Sequence, residues 1–394
     1  MATYAREEVL VDTQWMADHL KDPTVRVLEV SVDNGAFVQG HIPGAVALNW
    51  FHDLEERPHR DIASKATIER LLGNAGVTPD MTIVVYGDNN NWFATYGYWL
   101  FKLYGHRDVR VMNGGRKKWM DEGRPMTKEA PAYPKAQYQA KEPDASIRAV
   151  RDAVMQSVRQ VGKGMVDVRS PREFSGELLA PENLPQEGAQ RGGHVPGAVN
   201  IPWGEAVRPD GTFKSADELK ALYQGRDITP DKEIIAYCRI GERSAHTWFV
   251  LKELLGYPKV RNYDGSWTEW GSLVGVPIER YTGFLRQRLG EPGRTGTTHM
   301  TIPFLREGER LVRVHRFRFT GGRGCALGTT DIIVEEDLGP VGETVTRCQA
   351  RPDHPTRVPR PHLYVSAETV EGALAACIEK MRGGSVADLF FPQV

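Results

Sequence analysis

The chain has 394 residues, of which 40% are hydrophobic and 26% charged, so it is long enough for two or three soluble globular domains. The 50 basic and 51 acidic residues leave a formal net charge of −1, which excludes a general electrostatic attraction for nucleic acid or an anionic membrane. No run reaches the roughly 20 apolar residues of a membrane span, and acidic residues stand where a signal peptide needs apolar ones, which predicts a cytoplasmic protein.

The first part of the chain alternates short apolar runs with longer amphipathic segments. This pattern predicts strands at 25–30, 82–86 and 108–112 and a helix at 92–104. Strands separated by helices pair in parallel, so an α/β domain is expected over residues 1–124. The next segment, 125–145, contains several prolines and little periodicity, which predicts a linker.

A second copy of the same pattern is expected over residues 146–284. The sequence Gly-His-Ile-Pro-Gly-Ala-Val at 40–46 returns as Gly-His-Val-Pro-Gly-Ala-Val at 193–199. Further on, Tyr86 corresponds to Tyr237, and this offset of 151 residues continues without a gap to Trp119 and Trp270. The second copy has predicted strands at 164–168, 234–237 and 260–263 and a predicted helix at 244–255 that ends at Gly256.

Two segments have no counterpart in the first copy. Residues 175–193 form an irregular insertion, interpreted as a functional or disordered loop, with a lid as one hypothesis. Beyond a connector at 285–299, strands predicted at 311–319, 331–335 and 343–349 and a helix at 366–381, with Ser366 as its N-cap, indicate a small α+β module over 300–394. The sequence does not indicate the role of this module.

The residues that indicate chemistry are the segment Cys-Arg-Ile-Gly-Glu-Arg at 238–243. Cys238 follows a predicted buried strand and precedes a helix, so it is expected at the carboxyl edge of a parallel sheet, where open α/β folds bind ligands. Arg239 and Arg243 add two cations, which are expected to lower the thiol pKa and to bind an anion.

The backbone of this loop is expected to contribute as well. The amides of Ile240, Gly241 and Glu242 and the positive end of the following helix favour a thiolate over a thiol. The alternative interpretation, a buried structural cysteine, is disfavoured by the repeat, because the first copy has Gly87 at the position of Cys238 and lacks the arginines. The chemistry is therefore assigned to the second copy. The other cysteines, at 325, 348 and 377, form no Cys-x-x-Cys pair, and no metal-ligand spacing or cofactor motif is present.

Taken together, these features resemble the tandem-domain rhodaneses, thiosulfate sulfurtransferases with an inactive first domain and an active second one. The resemblance covers roughly residues 5–280. It rests on the 238–243 loop, on Asp-Val-Arg at 167–169 with Glu-Phe at 173–174, on the repeated Gly-His-Val-Pro-Gly-Ala and on Tyr-Asp-Gly-Ser-Trp at 263–267. It implies a five-stranded parallel sheet flanked by helices in each domain, with the active site in the cleft that faces the other domain.

The resemblance also implies a reaction. Cys238 would attack the outer sulfur of thiosulfate, sulfite would leave, and a persulfide would pass its sulfur to a thiophilic acceptor such as cyanide. Arg239 and Arg243 would hold the sulfonate, and Arg169 would either line the same pocket or form a structural ion pair with Asp167 or Glu173. The implied partners are a small-molecule sulfur donor and an acceptor that is a small molecule or a protein, with no nucleic acid and no membrane.

Two departures from the family leave the donor open. Ile240 stands where the vertebrate thiosulfate enzymes have a lysine, and Glu173 stands where they have a further basic residue. The alternatives are a sulfur carrier that delivers to a protein or thiol, with the C-terminal module as docking surface, and a mercaptopyruvate sulfurtransferase, whose loop typically has small residues. A phosphatase or arsenate reductase of related fold is a third alternative, but its loop is one residue longer than the six of 238–243.

Three histidines are weighed against the same background. His41 and His194 occupy the same position in the two copies, so a histidine is present even in the copy that lacks the cysteine. A turn or packing role is therefore predicted for both. His246 follows the cysteine loop, and a position on the helix surface is predicted for it, with tuning of Cys238 as the alternative.

Overall fold

The computed structural model describes residues 3–57 and 59–280 and, further along the chain, the backbone of four strands. Residue contacts divide the chain into two units, Met1–Leu285 and Arg286–Val394. The first unit contains both copies of the repeat.

The first copy is built on a parallel sheet with helices around it. Its strands are β1 (Leu10–Val11), β2 (Val25–Ser31), β3 (Val46–Asn49), β4 (Glu55–Glu56), β5 (Asp61–Ile62), β6 (Thr82–Tyr86) and β7 (Asp108–Met112). Its helices are α1 (Thr13–His19), α2 (Gly35–Gln39), α3 (Trp50–Asp53), α4 (Lys65–Asn74), α5 (Trp92–Leu103) and α6 (Gly115–Asp121). The sheet order is β1-β7-β6-β2-β3, and β4 and β5 form a separate antiparallel hairpin.

The second copy repeats this topology. Its strands are β8 (Arg148–Ala149), β9 (Lys163–Asp167), β10 (Val199–Asn200), β11 (Glu233–Tyr237) and β12 (Val260–Tyr263). Its helices are α7 (Arg151–Ser157), α8 (Pro171–Ser175), α9 (Ala216–Gln224), α10 (Glu242–Phe249) and α11 (Ser266–Trp270). The sheet order β8-β12-β11-β9-β10 matches that of the first copy strand by strand, which confirms the two α/β domains predicted from the repeat.

The central strands are buried along almost their whole length because helices cover both faces of each sheet. All seven residues of β2 are buried, and the four residues of β11 after Glu233 are at most 1% exposed. Each predicted strand overlaps an observed one, and the 82–86 and 108–112 strands have the predicted bounds.

The helices that follow the two central strands, α5 and α10, pack against each other and join the domains in one core. The ring of Tyr98 on α5 lies edge-on to Phe249 on α10, with centroids 4.8 Å apart. At the edge of this contact, Trp92 of the first domain meets Trp203 of the second at 5.4 Å. The carboxyl edges of the two central strands therefore face a shared boundary.

The helix predicted at 244–255 begins two residues earlier and ends differently. α10 continues as a π-helical turn, Val250–Leu254, before Gly256 takes a left-handed conformation with φ 71°. The predicted surface position of His246 is wrong. Its side chain is fully buried, because α10 lies inside the domain contact and the rings of Trp203 and Phe213 pack on the imidazole.

The segment predicted as a linker, 125–145, contains no helix or strand in the described structure, apart from an isolated bridge between Thr127 and His41. It follows the surface of the first domain, where Tyr138 and Ala140 are buried and the Ala136 amide donates to the Gly73 carbonyl at 2.9 Å.

Beyond residue 280 the described strands are β13 (Val312–Arg323), β14 (Ala326–Asp337), β15 (Arg347–Asp353) and β16 (Val365–Ala367). They form an antiparallel sheet in chain order, and β13, β14 and β15 overlap the three strands predicted here. Ser366 as a helix N-cap is wrong, because it pairs with Gln349 inside β16. The rest of the predicted helix lies outside the described residues. No helix in the described part of the chain is long and apolar enough to span a membrane.

Candidate active site at the loop after β11

The loop that follows β11 begins with Cys238 and passes directly into α10. Gly241 is the N-cap of that helix and has φ 103°, a left-handed conformation that favours glycine. A Cβ at this position would lie 2.7 Å from the Cα of Asp264. Glycine is therefore required here by both the backbone and the neighbouring loop, and it turns the chain back over the cysteine.

The sulfur of Cys238 is completely buried and has polar neighbours on several sides. The Gly241 N–H donates to Sγ at 3.0 Å, and the thiol donates to Oε2 of Glu242 at 3.4 Å. The Cys238 amide donates to the Ser266 hydroxyl oxygen at 3.0 Å, which holds the start of the loop against α11. Of the three loop amides predicted to surround the sulfur, the structure shows the Gly241 amide bonded to it.

The thiol differs from its predicted electrostatic state. Burial raises the pKa of the Cys238 thiol above its usual value, and the Glu242 carboxylate raises it further. Arg243 and a hydrogen bond from the Ser244 amide act to lower this pKa but do not reverse the shift. The prediction of a lowered pKa is wrong for this structure, because the sequence showed the arginines but neither the burial nor the carboxylate beside the sulfur.

Arg243 is held in a bidentate ion pair with Glu173 at the start of α8. Nη1 donates to Oε2 and Nη2 to Oε1, each at 3.0 Å, and both side chains are buried. Burial acts to raise the pKa of Glu173, but Arg243 and its hydrogen bonds lower it below the usual value. Glu173 thus neutralises one of the two arginines predicted to bind the sulfonate.

Arg169 lies deeper than the loop. Its guanidinium is fully buried, pairs with Asp167 at 2.6 Å and donates to the Gly193 carbonyl at 2.7 Å. The ring of Trp267 lies 4.5 Å away. Of the two roles predicted for Arg169, these contacts are those of a structural ion pair.

Residues of both domains line a cavity of about 870 Å³ beside the 238–243 loop, and we call this cavity the interdomain cavity. The first domain contributes Trp50, Trp92 and Phe93, and the second contributes Trp203 and several polar residues. From the loop itself, the cavity is lined by Arg239, Ile240, Glu242 and Arg243. Arg239 donates from Nη2 to the Glu187 carbonyl oxygen at 3.4 Å. None of the described hydrogen bonds joins its guanidinium to a carboxylate.

The insertion at 175–193 forms one wall of this cavity. Leu178, Pro181 and Leu184 line it. The Gln186 side chain holds the loop together, because its oxygen accepts from the Leu179 and Ala180 amides and its nitrogen donates to carbonyl oxygens of the same loop. The insertion is thus a loop held together by its own hydrogen bonds beside the predicted site, and a function for it stays a prediction.

The corresponding loop of the first domain has no nucleophile. Gly87 follows β6 as Cys238 follows β11, and its amide donates to the Asn91 side-chain oxygen at 2.9 Å. The histidines of the repeated motif pack in equivalent ways: His41 and His194 stack on Phe37 and Phe174 and each bonds a backbone carbonyl through Nδ1. These contacts agree with the predicted packing role. In the described part of the chain, no group of three or more His, Cys, Asp or Glu residues is arranged to hold a metal ion.

Several residues around Cys238 were not predicted from the sequence. They are the carboxylate of Glu242, the amide of Ser244 and the hydroxyl of Ser266. A fourth is Arg60 of the first domain, which donates to the Ile240 carbonyl oxygen. The amide of Ser244 belongs to the first turn of α10, so the only sequence feature that pointed to it was the predicted start of a helix after the cysteine. Arg60 had none, because it lies 178 residues earlier in the chain.

The chain is similar to a known domain family and to several named proteins. The Rhodanese-like domain family matches residues 12–122 and 151–273. The chain is 57% identical over 280 residues to a Thermus thermophilus protein named sulfur carrier protein TtuD, covering 70% of this chain and 98% of the relative. A Saccharopolyspora erythraea protein provisionally named thiosulfate sulfurtransferase is 56% identical over 275 residues, covering 70% of this chain and 97% of its own length.

A solved structure shows the same architecture. The anaerobic ergothioneine biosynthesis enzyme of Chlorobium limicola, in complex with trimethyl histidine, superposes with a TM-score of 0.64 at 25% identity. The match covers 71% of this chain and 72% of that one. With two matched domains and close relatives aligned over almost their full length, the chain belongs to the rhodanese family of sulfurtransferases.

Proposed function

We propose that this protein is a thiosulfate sulfurtransferase that carries sulfur on Cys238 as a persulfide. The observation that supports this most directly is the buried sulfur at the end of β11, 3.0 Å from the Gly241 amide, beside a cavity to which both domains contribute. An N–H aimed at a buried sulfur stabilises negative charge there in the thiolate, in the transition state and in the persulfide.

The reaction begins with loss of the thiol proton. Glu242 Oε2, 3.4 Å from the sulfur, is the adjacent proton acceptor. The thiolate attacks the outer sulfur of thiosulfate, the sulfur–sulfur bond of thiosulfate breaks, and its electron pair leaves with sulfite. A thiophilic acceptor such as cyanide then attacks the outer sulfur of the persulfide and returns Cys238 to the thiolate.

The two loop arginines have different roles in this proposal. Because Glu173 balances the charge of Arg243, that guanidinium contributes mainly by lowering the pKa of Cys238. Arg239 lines the interdomain cavity and makes one long hydrogen bond to a carbonyl, so it is the cation available to the sulfonate of the donor.

A second candidate is a sulfur carrier whose acceptor is an organic thiol or a protein. The interdomain cavity favours it, because about 870 Å³ lies within the range of pockets for whole organic ligands and far exceeds the space that cyanide needs. Its aromatic residues, Trp50, Trp92, Phe93 and Trp203, would contact the apolar part of such an acceptor. The name of the Thermus thermophilus relative, a sulfur carrier protein, agrees with this candidate.

The test is rapid mixing with thiosulfate followed by mass spectrometry of the intact protein and of the Cys238 peptide. We expect a mass increase of one sulfur atom on Cys238 that cyanide removes, with stoichiometric release of sulfite. If Cys238→Ala still releases sulfite stoichiometrically, the mechanism is wrong. Cys238-dependent hydrolysis of a phosphate ester would instead favour the phosphatase alternative.

The two candidates differ in their acceptors. Turnover of the loaded protein is measured with cyanide and with a panel of organic thiols. A higher kcat/KM for a thiol than for cyanide would favour the carrier, whereas equal or lower values favour the thiosulfate–cyanide reaction.

A further inference from the structure

We infer that Arg60, which belongs to the domain without the nucleophile, is a positioning residue for the amide that binds the reacting sulfur. Arg60 lies in the β4–β5 hairpin. Its Nη2 donates to the Ile240 carbonyl oxygen at 3.3 Å and its Nη1 to the Gly265 carbonyl oxygen at 3.5 Å. This inference rests on the sulfur chemistry proposed above for Cys238.

The bonded carbonyl and the catalytic amide are two ends of one peptide group. The Ile240 carbonyl accepts from Arg60, and the Gly241 N–H of the same peptide donates to Cys238 Sγ at 3.0 Å. Because a peptide group is planar and its C=O and N–H point in opposite directions, holding the carbonyl fixes the direction of the N–H. A cation on the carbonyl oxygen also polarises the peptide and strengthens the hydrogen bond at its other end.

The hairpin that carries Arg60 is anchored to the second domain by a chain of ion pairs. Arg148 donates to Asp61 at 2.5 Å and to Asp264 at 2.8 Å, so β5 is linked to the loop after β12. The same Asp264 is the residue against which Gly241 packs. The 238–243 loop therefore contacts Asp264 through Gly241 and Arg60 through the Ile240 carbonyl.

Several charged groups surround the Ile240–Gly241 peptide. Glu242 and Arg243 lie on α10, Asp264 follows β12, and Glu55 lies on the hairpin itself. Burial raises the pKa of Glu55 to about 7, and Arg60 acts to lower it.

The internal repeat provides an independent observation. Ser64 and Ser215, the N-caps of α4 and α9, are 151 residues apart, so the same offset holds in this region and Arg60 corresponds to Gly211. Both have left-handed backbones, with φ 54° and 83°. A Cβ at Gly211 would lie 3.3 Å from Oδ1 of Asn90, in the first-domain loop that begins at Gly87 and that we call the silent loop, and 3.0 Å from the Gly114 carbonyl oxygen after β7. The neighbouring Asp210 pairs with Lys118 of α6 at 3.1 Å. A glycine thus occupies this strained position opposite the silent loop, whereas an arginine occupies it opposite the 238–243 loop.

This comparison supplies a variant that separates positioning from folding. In Arg60→Gly the backbone conformation becomes easier, so the unfolding midpoint should stay unchanged or rise. We expect the rate of sulfur loading from thiosulfate to fall about tenfold and the pH midpoint of Cys238 alkylation by iodoacetamide to rise by about one unit. Arg60→Lys should restore part of both values, because an ammonium can also donate to the carbonyl.

Two controls complete the experiment. Lys118→Ala breaks the ion pair between Lys118 of α6 and Asp210, the residue next to Gly211, and Arg57→Ala removes a neighbouring cation from the hairpin of Arg60. Both should leave the alkylation midpoint unchanged. An unshifted midpoint in Arg60→Gly, or an equal shift in Arg57→Ala, would overturn the positioning role. Alkylation needs no sulfur donor, so failure of thiosulfate to load the wild-type protein would refute the proposed function without affecting this result.

Discussion

Glu173 accepts one hydrogen bond from each terminal nitrogen of Arg243, both at 3.0 Å, and the two side chains are almost completely buried. The pair links the first turn of α8 to the loop that begins with Cys238. It also decides how much positive charge the site offers to an anionic donor, because only Arg239 among the loop arginines lacks a carboxylate partner in the described hydrogen bonds.

Replacing Glu173 by glutamine should make the folded protein less stable but strengthen its binding of thiosulfate. Glu173→Gln removes the bidentate counter-charge of a buried cation and leaves it only the Glu242 carboxylate at 3.6 Å, which should cost about 3 kcal/mol in the free energy of unfolding. The freed charge of Arg243 should lower the KM for thiosulfate. Urea denaturation and steady-state kinetics measure the two effects.

The matched control for this variant is Glu177→Gln. Glu177 pairs with Arg172 at an exposed position, so its loss should change the free energy of unfolding by less than about 0.5 kcal/mol. A Glu173→Gln protein as stable as this control would contradict the importance of the buried pair.

Replacing Glu242 by glutamine should make the nucleophile more acidic. The carboxylate 3.4 Å from Sγ raises the pKa of Cys238, and Glu242→Gln removes that charge while keeping a side chain of similar size. We expect the pH midpoint for alkylation of Cys238 to fall by about one unit. The same variant should slow sulfur loading at low pH, where the proton acceptor is missing. If the alkylation midpoint does not move, Glu242 does not control ionisation of the thiol.

His246 should make the protein sensitive to mild acid. Burial lowers the pKa of His246 from 6.5 to about 3. Below pH 6.5 the unfolded chain therefore binds a proton that the folded protein does not bind, and stability falls as the pH drops towards 3. At pH 5 the loss amounts to about 2 kcal/mol.

The measurement is urea unfolding at pH 7 and pH 5 for the wild type and His246→Phe. The variant keeps an aromatic ring between Trp203 and Phe213 but cannot titrate, so its stability should decrease by about 2 kcal/mol less over this interval. Equal losses in both proteins would show that other groups cause the acid sensitivity.

Much of the architecture was predictable from local pattern. The strand at 82–86 was predicted with its bounds because a buried parallel strand is a nearly continuous apolar run. The strand at 108–112 was predicted with its bounds because its apolar residues alternate with polar ones. The repeat added information that no single segment contains. Gly87 and Cys238 occupy equivalent positions, so the comparison shows which copy has the cysteine and which lacks it. Errors occurred where packing between distant segments overrides the local pattern, as at His246, whose helix is amphipathic in sequence but enclosed on both sides by the domain contact.

The sequence by itself determined the two-domain rhodanese architecture and the place of Cys238 at the start of a six-residue loop after a central strand. Only the tertiary structure decided the charge around the Cys238 sulfur. Glu173 and Arg243 are 70 residues apart in the chain, Arg60 and Ile240 are 180 apart, and Cys238 is completely buried. Electrostatic energies depend on distance in space and on exclusion of water, and neither quantity is encoded in local order along the chain.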